Sequence, residues 1–224
     1  MIKAKRTKDD TICSNRVYSF ENFYPGQINR DAFSIVQRIA QGQKELQVIT
    51  VLHGSNGTGK THLLRALQIE SNYQRIQYIS VGELARQVEN AVNDEAFDAL
   101  LDYYKGYELM LLDDMQYIAG RELLQSFLIH IIKEMQPPAQ VVMAADILPD
   151  HFLIRLQEVS EIRYLKLHNP EYATLCQIVK SKATQLGLNQ GLNERLTDWI
   201  LASCEYKAYR IESVLMSAHA CGII

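Results

Sequence analysis

Long apolar runs are missing from this chain. No stretch approaches 18 uninterrupted hydrophobic residues, which excludes a membrane-spanning helix. Cysteine is scarce: Cys13, Cys176, Cys204 and Cys221 share no CxxC or metal-like spacing, so neither a disulfide framework nor a zinc module is expected. Lys3, Lys5, Arg6 and Lys8 have no apolar run behind them. No secretory signal is therefore read, and the thiols are expected to be reduced in a cytoplasmic protein. A basic surplus is also lacking. The formal net charge is −3, whereas a protein that holds duplex DNA by itself usually carries an excess of cations.

The 224 residues otherwise have an ordinary globular composition, 47% hydrophobic and 22% charged. That length suits a main body with a smaller appendage. Val48–His53, Ile76–Val81, Leu109–Asp113, Val141–Ala145 and Ile162–Leu167 are short and mostly near-continuously apolar, as strands covered on both faces of a parallel sheet are. Amphipathic stretches at Thr61–Glu70, Glu83–Val92, Glu95–Tyr104 and Arg121–Met135 alternate with them, and Pro137-Pro138 ends the last. This order predicts an α/β sheet with right-handed crossovers. Three further helices, Glu171–Leu186, Asn193–Cys204 and Tyr209–Ala220, predict a small all-α appendage. The expected division is a tail over 1–16, a nucleotide-binding α/β domain over 17–168 and a helical lid over 169–224.

One motif dominates. Gly54-Ser55-Asn56-Gly57-Thr58-Gly59-Lys60-Thr61 satisfies G-x-x-x-x-G-K-[ST], the phosphate-binding P-loop, and lies between a predicted buried strand and a predicted helix. Glycines let main-chain N–H groups curl around a phosphate, and the helix directs its positive end at the anion. Lys60 is expected on the β- and γ-phosphates and the Thr61 hydroxyl on Mg²⁺. ATP or ADP with Mg²⁺ is the expected ligand. Leu109–Asp113 is the apolar run that ends in paired carboxylates. Asp113 is the candidate metal ligand, and Asp114 the candidate for orienting an attacking water.

These motifs, with Tyr18–Gly26 followed by Asn29-Arg30, resemble the ATPase core of the DnaA family of bacterial replication initiators. His53–Leu64 (HGSNGTGKTHLL) is similar to the family's P-loop and Leu111–Gly120 (LLDDMQYIAG) to its Walker B region. The resemblance runs from about Tyr18 to Ala220. It implies the AAA+ architecture, a P-loop five-stranded parallel sheet sandwiched by helices and followed by a small all-α lid. It also implies that Asp146 is the sensor 1 acid, that Arg210 is the sensor 2 arginine of the lid, and that Tyr24, Asn29 and their neighbours lie near the adenine. Asp114, Asp146 and Arg210 are thus the catalytic candidates.

Three departures from the family shape the expected function. The DNA-binding domain that would follow the lid is not in this sequence, so duplex recognition in the initiator's manner is not expected. The arginine-finger position holds Val159, with Arg155 four residues earlier, which puts activated hydrolysis in doubt and leaves at most a weak ATPase. The Glu83–Glu108 helix pair, which grips single-stranded DNA in initiators, carries seven acids against Arg86 and Lys105, a local charge of −5. That balance disfavours a nucleic-acid strand and suits a basic protein partner. Tyr103, Tyr104 and Tyr107 there are expected to pack the core rather than stack bases.

The leading expectation is a regulator or accessory factor of replication initiation that contacts another AAA+ protein such as the initiator, as the inactivator Hda does. Met1–Arg16 lacks the clamp-binding segment of Hda-like proteins. The alternatives are a helicase loader or mobile-element initiator working on a replicative helicase or single-stranded DNA, and a nucleotide-locked module that hydrolyses nothing. Nucleotide-dependent oligomers are compatible with each.

Overall fold

The structure is a computed structural model that describes residues 18–42, 48–135, 139–148 and 150–224. Among them the elements run α1 (Arg30–Ala40), β1 (Val48–His53), α2 (Lys60–Glu70), β2 (Ile76–Ser80), α3 (Val81–Asn93), α4 (Phe97–Lys105), β3 (Leu109–Asp113), α5 (Glu122–Glu134), β4 (Gln140–Ala145), α6 (Asp150–Gln157), β5 (Glu161–Lys166), α7 (Tyr172–Gln185), α8 (Glu194–Ser203) and α9 (Ile211–Ala220). Short 3₁₀ turns occupy Met115–Ile118 and Ala208–Arg210. The N-terminal tail, Cys13, the Pro137-Pro138 stop and Pro149 lie outside the described residues.

The strands form one parallel sheet in the order β2-β3-β4-β1-β5. Every residue of β3 and β4 is buried, as their unbroken apolar sequences require. One face packs Val51, Met110, Leu112 and Met143 under α3–α6, and the other packs Leu52, Leu109, Leu111 and Val142 under α1 and α2. The expectation of cover on both faces fails for the edge strand β5, where only Leu165 is buried and Tyr164 is 40% exposed. Its frame also starts one residue earlier than its apolar residues suggest. Helix α3 begins at Val81, two residues before the predicted start, because the Ser80 hydroxyl accepts the Glu83 N–H as an N-cap.

A third hydrophobic cluster, built from Leu175, Val179, Ile200, Leu201, Ile211 and Leu215, holds α7, α8 and α9 together. The predicted helix over Tyr209–Ala220 is corrected here. Its first two residues belong to the 3₁₀ turn, and the α-helix begins only at Ile211. Tyr104 is fully buried and donates to Gln87 Oε1 at 2.7 Å, and Tyr107 packs on the same core, but Tyr103 is 52% exposed. Of the acids counted on the helix pair, Glu108 has a structural task. Its carboxylate accepts the Gln74 and Arg75 backbone N–H groups at 2.7 and 3.2 Å. Cys176, Cys204 and Cys221 are free thiols. Among the described residues no helix is long and apolar enough to cross a membrane.

Candidate nucleotide-binding site

The site forms where β1, β3 and β4 end, the place at which ligands of open parallel sheets collect. Strand β1 delivers the chain into the Gly54–Gly59 loop, and α2 starts at Lys60 with Gly59 as its N-cap. Gly59 has φ +97°, and a Cβ there would lie 2.6 Å from the Phe23 ring, so both the turn and the approach of Phe23 require glycine. Gly57 has φ +86°, and the ring of Tyr209 from the lid rests where its Cβ would be, 2.6 Å away.

Lys60 is 7% exposed. Its Nζ donates to Gly54 O at 2.8 Å and Ser55 O at 2.9 Å, and pairs with Asp146 Oδ1 at 2.6 Å. The ammonium therefore sits at the bottom of the loop with three oxygen partners. Thr61 is exposed on the first turn of α2 and faces the same cavity.

Asp113, 5% exposed, has both carboxylate oxygens engaged. Oδ2 accepts the Tyr78 hydroxyl at 2.7 Å, and Oδ1 accepts the Asp114 N–H at 3.0 Å. Burial, reinforced by Asp113, pushes the Tyr78 phenol far above its ordinary value. Asp114 adopts φ +62°, a conformation that a non-glycine residue holds only when its surroundings impose it. Partial burial, then the like charges of Asp113 and Asp146, raise its carboxyl above the usual carboxylate range. Gln116 links these acids: its Nε2 donates to Asp114 Oδ1 at 3.2 Å, and its Oε1 accepts the Asp146 N–H at 3.2 Å.

A cavity of about 500 Å³ opens between these groups and the lid, a size that suits a small ligand or cofactor. Asn56–Thr61, Asp113, Asp114 and Asp146 line it from the sheet ends; Tyr18, Phe23, Tyr24, Asn29 and His62 from the N-terminal segment and α2; Lys182, Tyr209 and Glu212 from the lid. The body and lid meet around it. Ser55 Oγ donates to Asn169 Oδ1 at 3.0 Å, and Gln185 Nε2 to Asn22 Oδ1 at 3.0 Å. Asn29 is 2% exposed and its amide is committed: Nδ2 donates to His168 O at 2.9 Å, and Oδ1 accepts the His168 N–H at 2.8 Å. His62 Nε2–H donates to Ser19 O at 2.8 Å, and burial keeps this imidazole below its ordinary value.

Most of the residues singled out from the sequence converge here. Arg210 does not line the cavity. It is 41% exposed, its Nη1 donates to Glu205 Oε1 at 2.7 Å, and the cation on the cavity wall from the lid is Lys182, paired with Glu212 at 2.9 Å. Sequence reasoning passed over Tyr78, Gln116, Lys182, Tyr209 and Glu212. Gln116 lies inside the quoted Walker B stretch and Tyr209 beside Arg210, but no spacing rule marks a neutral side chain. At the finger position Val159 packs against the core, and Arg155 donates to Gln125 Oε1 at 2.8 Å and Ser126 Oγ at 3.3 Å.

A divalent cation fits the donor set. Three carboxylates (Asp113, Asp114, Asp146) line the same cavity as the Lys60 ammonium, which pairs with Asp146, so negative charge is left to be offset beside the Thr61 hydroxyl. Among the described residues no cluster of three or more His, Cys, Asp or Glu side chains is close enough to hold a metal by itself. Asp113 and Thr61 would therefore share it with phosphate oxygens.

Comparison with known proteins shows the family and the fold. The family profile of the bacterial DnaA ATPase domain matches residues 14–164. The chromosomal replication initiator protein DnaA of Helicobacter hepaticus is 27% identical over 214 residues, covering 92% of this chain and 46% of that protein. This chain thus spans about half the length of the curated relatives it matches. A solved replication initiator DnaA bound to AMPPCP and single-stranded DNA superposes with a TM-score of 0.75 at 28% identity, covering 90% of this chain and 64% of the other. Domain III of the Thermotoga maritima replication initiation protein DnaA shares the fold at a TM-score of 0.77 and 22% identity, covering 92% and 90%. With the P-loop on a parallel five-stranded sheet, the paired acids at the end of β3 and a profile match across most of its length, the chain belongs to the DnaA family of AAA+ ATPase domains.

Proposed function

We infer that this protein binds ATP and ADP in the cavity between sheet and lid, and acts in replication initiation as a regulator or accessory factor through contacts with another AAA+ protein. The convergence of Lys60, Asp113 and Asp146 on one cavity carries the reading. These three groups meet from α2, β3 and the end of β4, elements far apart in the sequence. A nucleotide would take over the Lys60 ammonium from Asp146, and Thr61 and Asp113 would hold Mg²⁺, which neutralises the phosphates. Asp146 would then be free to face the γ-phosphate end of the site. Asp114, with its raised proton affinity, suits the task of orienting a water and accepting its proton.

Hydrolysis by the isolated chain should be slow. Val159 is half-buried against the core and Arg155 is tied to α5, so the stretch that holds an arginine finger in the family presents a neutral residue here. This observation favours, as a second reading, a module that retains nucleotide as a structural ligand. The related initiator whose structure contains single-stranded DNA raises the loader-like alternative, but the acidic α3–α4 pair speaks against a strand on that face. Arg210 remains a sensor candidate if Glu205 releases it. One experiment separates these readings: single-turnover ATP hydrolysis with and without purified initiator, alongside binding to labelled single strands over a salt series. Acceleration or inhibition that depends on the initiator supports the regulator. Tight, salt-dependent strand binding with no initiator effect overturns it.

A further inference from the structure

We propose that Tyr78 is a positioning residue for the magnesium ligand Asp113, held in place by Arg65 from the P-loop helix. The assignment rests on the nucleotide-site reading above. It follows from register and reach. On β2, Ile76 and Tyr78 turn to the face covered by α1 and α2, whereas Ile79 turns to the other. On β3, Leu109 and Leu111 share the α1/α2 face, so Asp113, two residues further, does too. Tyr78 pairs with Leu111 in the parallel ladder, which puts Asp113 two residues, about 6.6 Å, further along the neighbouring strand. A phenol ring spans that length, and the hydroxyl reaches Asp113 Oδ2 at 2.7 Å.

The ring is itself clamped. The Arg65 guanidinium carbon lies 3.5 Å from its centroid, a close cation–π stack. Arg65 is four residues after Thr61 on α2, so one helical turn separates the candidate metal hydroxyl from the clamp on the tyrosine. The Asp114 N–H holds the other oxygen of Asp113. With one donor on each oxygen, the carboxylate plane is fixed and its remaining lone pairs are directed into the cavity. Ligands oriented in this way lose metal affinity when the orienting group is removed, by about 10–100-fold in comparable sites.

Tyr78→Phe keeps the ring and the stack and deletes only the hydroxyl. ADP affinity is measured by calorimetry with EDTA and over a Mg²⁺ titration, for wild type, Tyr78→Phe, Asp113→Asn and the double variant. The expected result is EDTA-condition binding within about twofold of wild type and a Mg²⁺ concentration dependence shifted upward about tenfold or more. In the Asp113→Asn background Tyr78→Phe should add nothing. Unchanged Mg²⁺ dependence in Tyr78→Phe, or an undiminished effect once Asp113 is gone, overturns the assignment while leaving the nucleotide site intact. Wild-type protein that binds no nucleotide under either condition overturns both.

Discussion

Lys60→Ala removes the one cation at the bottom of the P-loop, and its effect follows from the surroundings of that side chain. Lys60 donates to two loop carbonyls and pairs with Asp146, but Asp146 keeps 34% of its side-chain exposure, so water can solvate it when the ammonium is gone. The melting temperature without nucleotide should change little. With nucleotide the difference is large. At a ligand concentration 100 times Kd, binding stabilises the native state by about 2.7 kcal/mol, or roughly 5–11 °C for a chain of this size. A charge-assisted hydrogen bond contributes about 1.5–3 kcal/mol, so losing contacts to two phosphates weakens binding by at least about 100-fold at 1.4 kcal/mol per decade. The variant at the same ligand concentration is then at most half saturated, and its shift falls to about 1 °C or less. Differential scanning fluorimetry with a titration of ADP measures this directly. A variant with the full wild-type shift would refute the claim that this loop holds the phosphates.

Asp113→Asn should raise the Mg²⁺ concentration needed for tight ADP binding by tenfold or more while leaving EDTA-condition binding nearly intact; equal losses in both would make Asp113 a structural residue. His62 is held below its ordinary pKa of 6.5, so the unfolded chain takes up the proton first as pH falls. Stability is therefore lost progressively below about pH 6.5 and is unaffected by this group above it. His62→Gln, which can still donate to Ser19 O, should flatten urea-midpoint stability between pH 7 and 5.5, and an unaltered slope would rule out His62 as its source. Gly57→Ala places a methyl group 2.6 Å from the Tyr209 ring at φ +86°, and should weaken nucleotide binding more than Gly187→Ala, whose Cβ meets nothing within 4 Å although its φ is also positive. Equal effects would mean that strain alone, not the contact with the lid, is responsible.

The sheet was legible because parallel strands are written as unbroken apolar runs. Val48–His53 and Leu109–Asp113 match β1 and β3 end to end. The P-loop and the paired acids were legible because phosphate chemistry demands particular residues at fixed spacing. Helix α1 was missed although Ala32, Val36, Ile39 and Ala40 follow an i, i+4, i+7, i+8 spacing, so the signal for it was in the sequence. What else escaped has physical reasons. Helix α6 has eight residues, barely two turns, too short for an apolar stripe to repeat. The position of Arg210 depends on Glu205 and Tyr206 both taking left-handed backbone conformations, at φ +53° and +56°, which curl the Glu205 carboxylate onto the guanidinium. Neither residue type announces such a turn. The charge count on the helix pair similarly missed that Glu108 is spent on main-chain donors.

The clasp between Asn29 and His168 has a consequence for synthesis. These residues are 139 positions apart and β1 is flanked by β4 and β5, so Asn29 and β1 acquire these partners only after β4 and β5 have been made, although Ser19 and Phe20 can bond His62 and Glu70 of α2 much earlier. At about 5–20 residues per second the ribosome needs roughly 7–28 s to cross that interval. Until β4 is made, β1 has no strand neighbour on either side and offers bare edges to other nascent chains. A folding helper at the tunnel exit would find β1 unpaired until then.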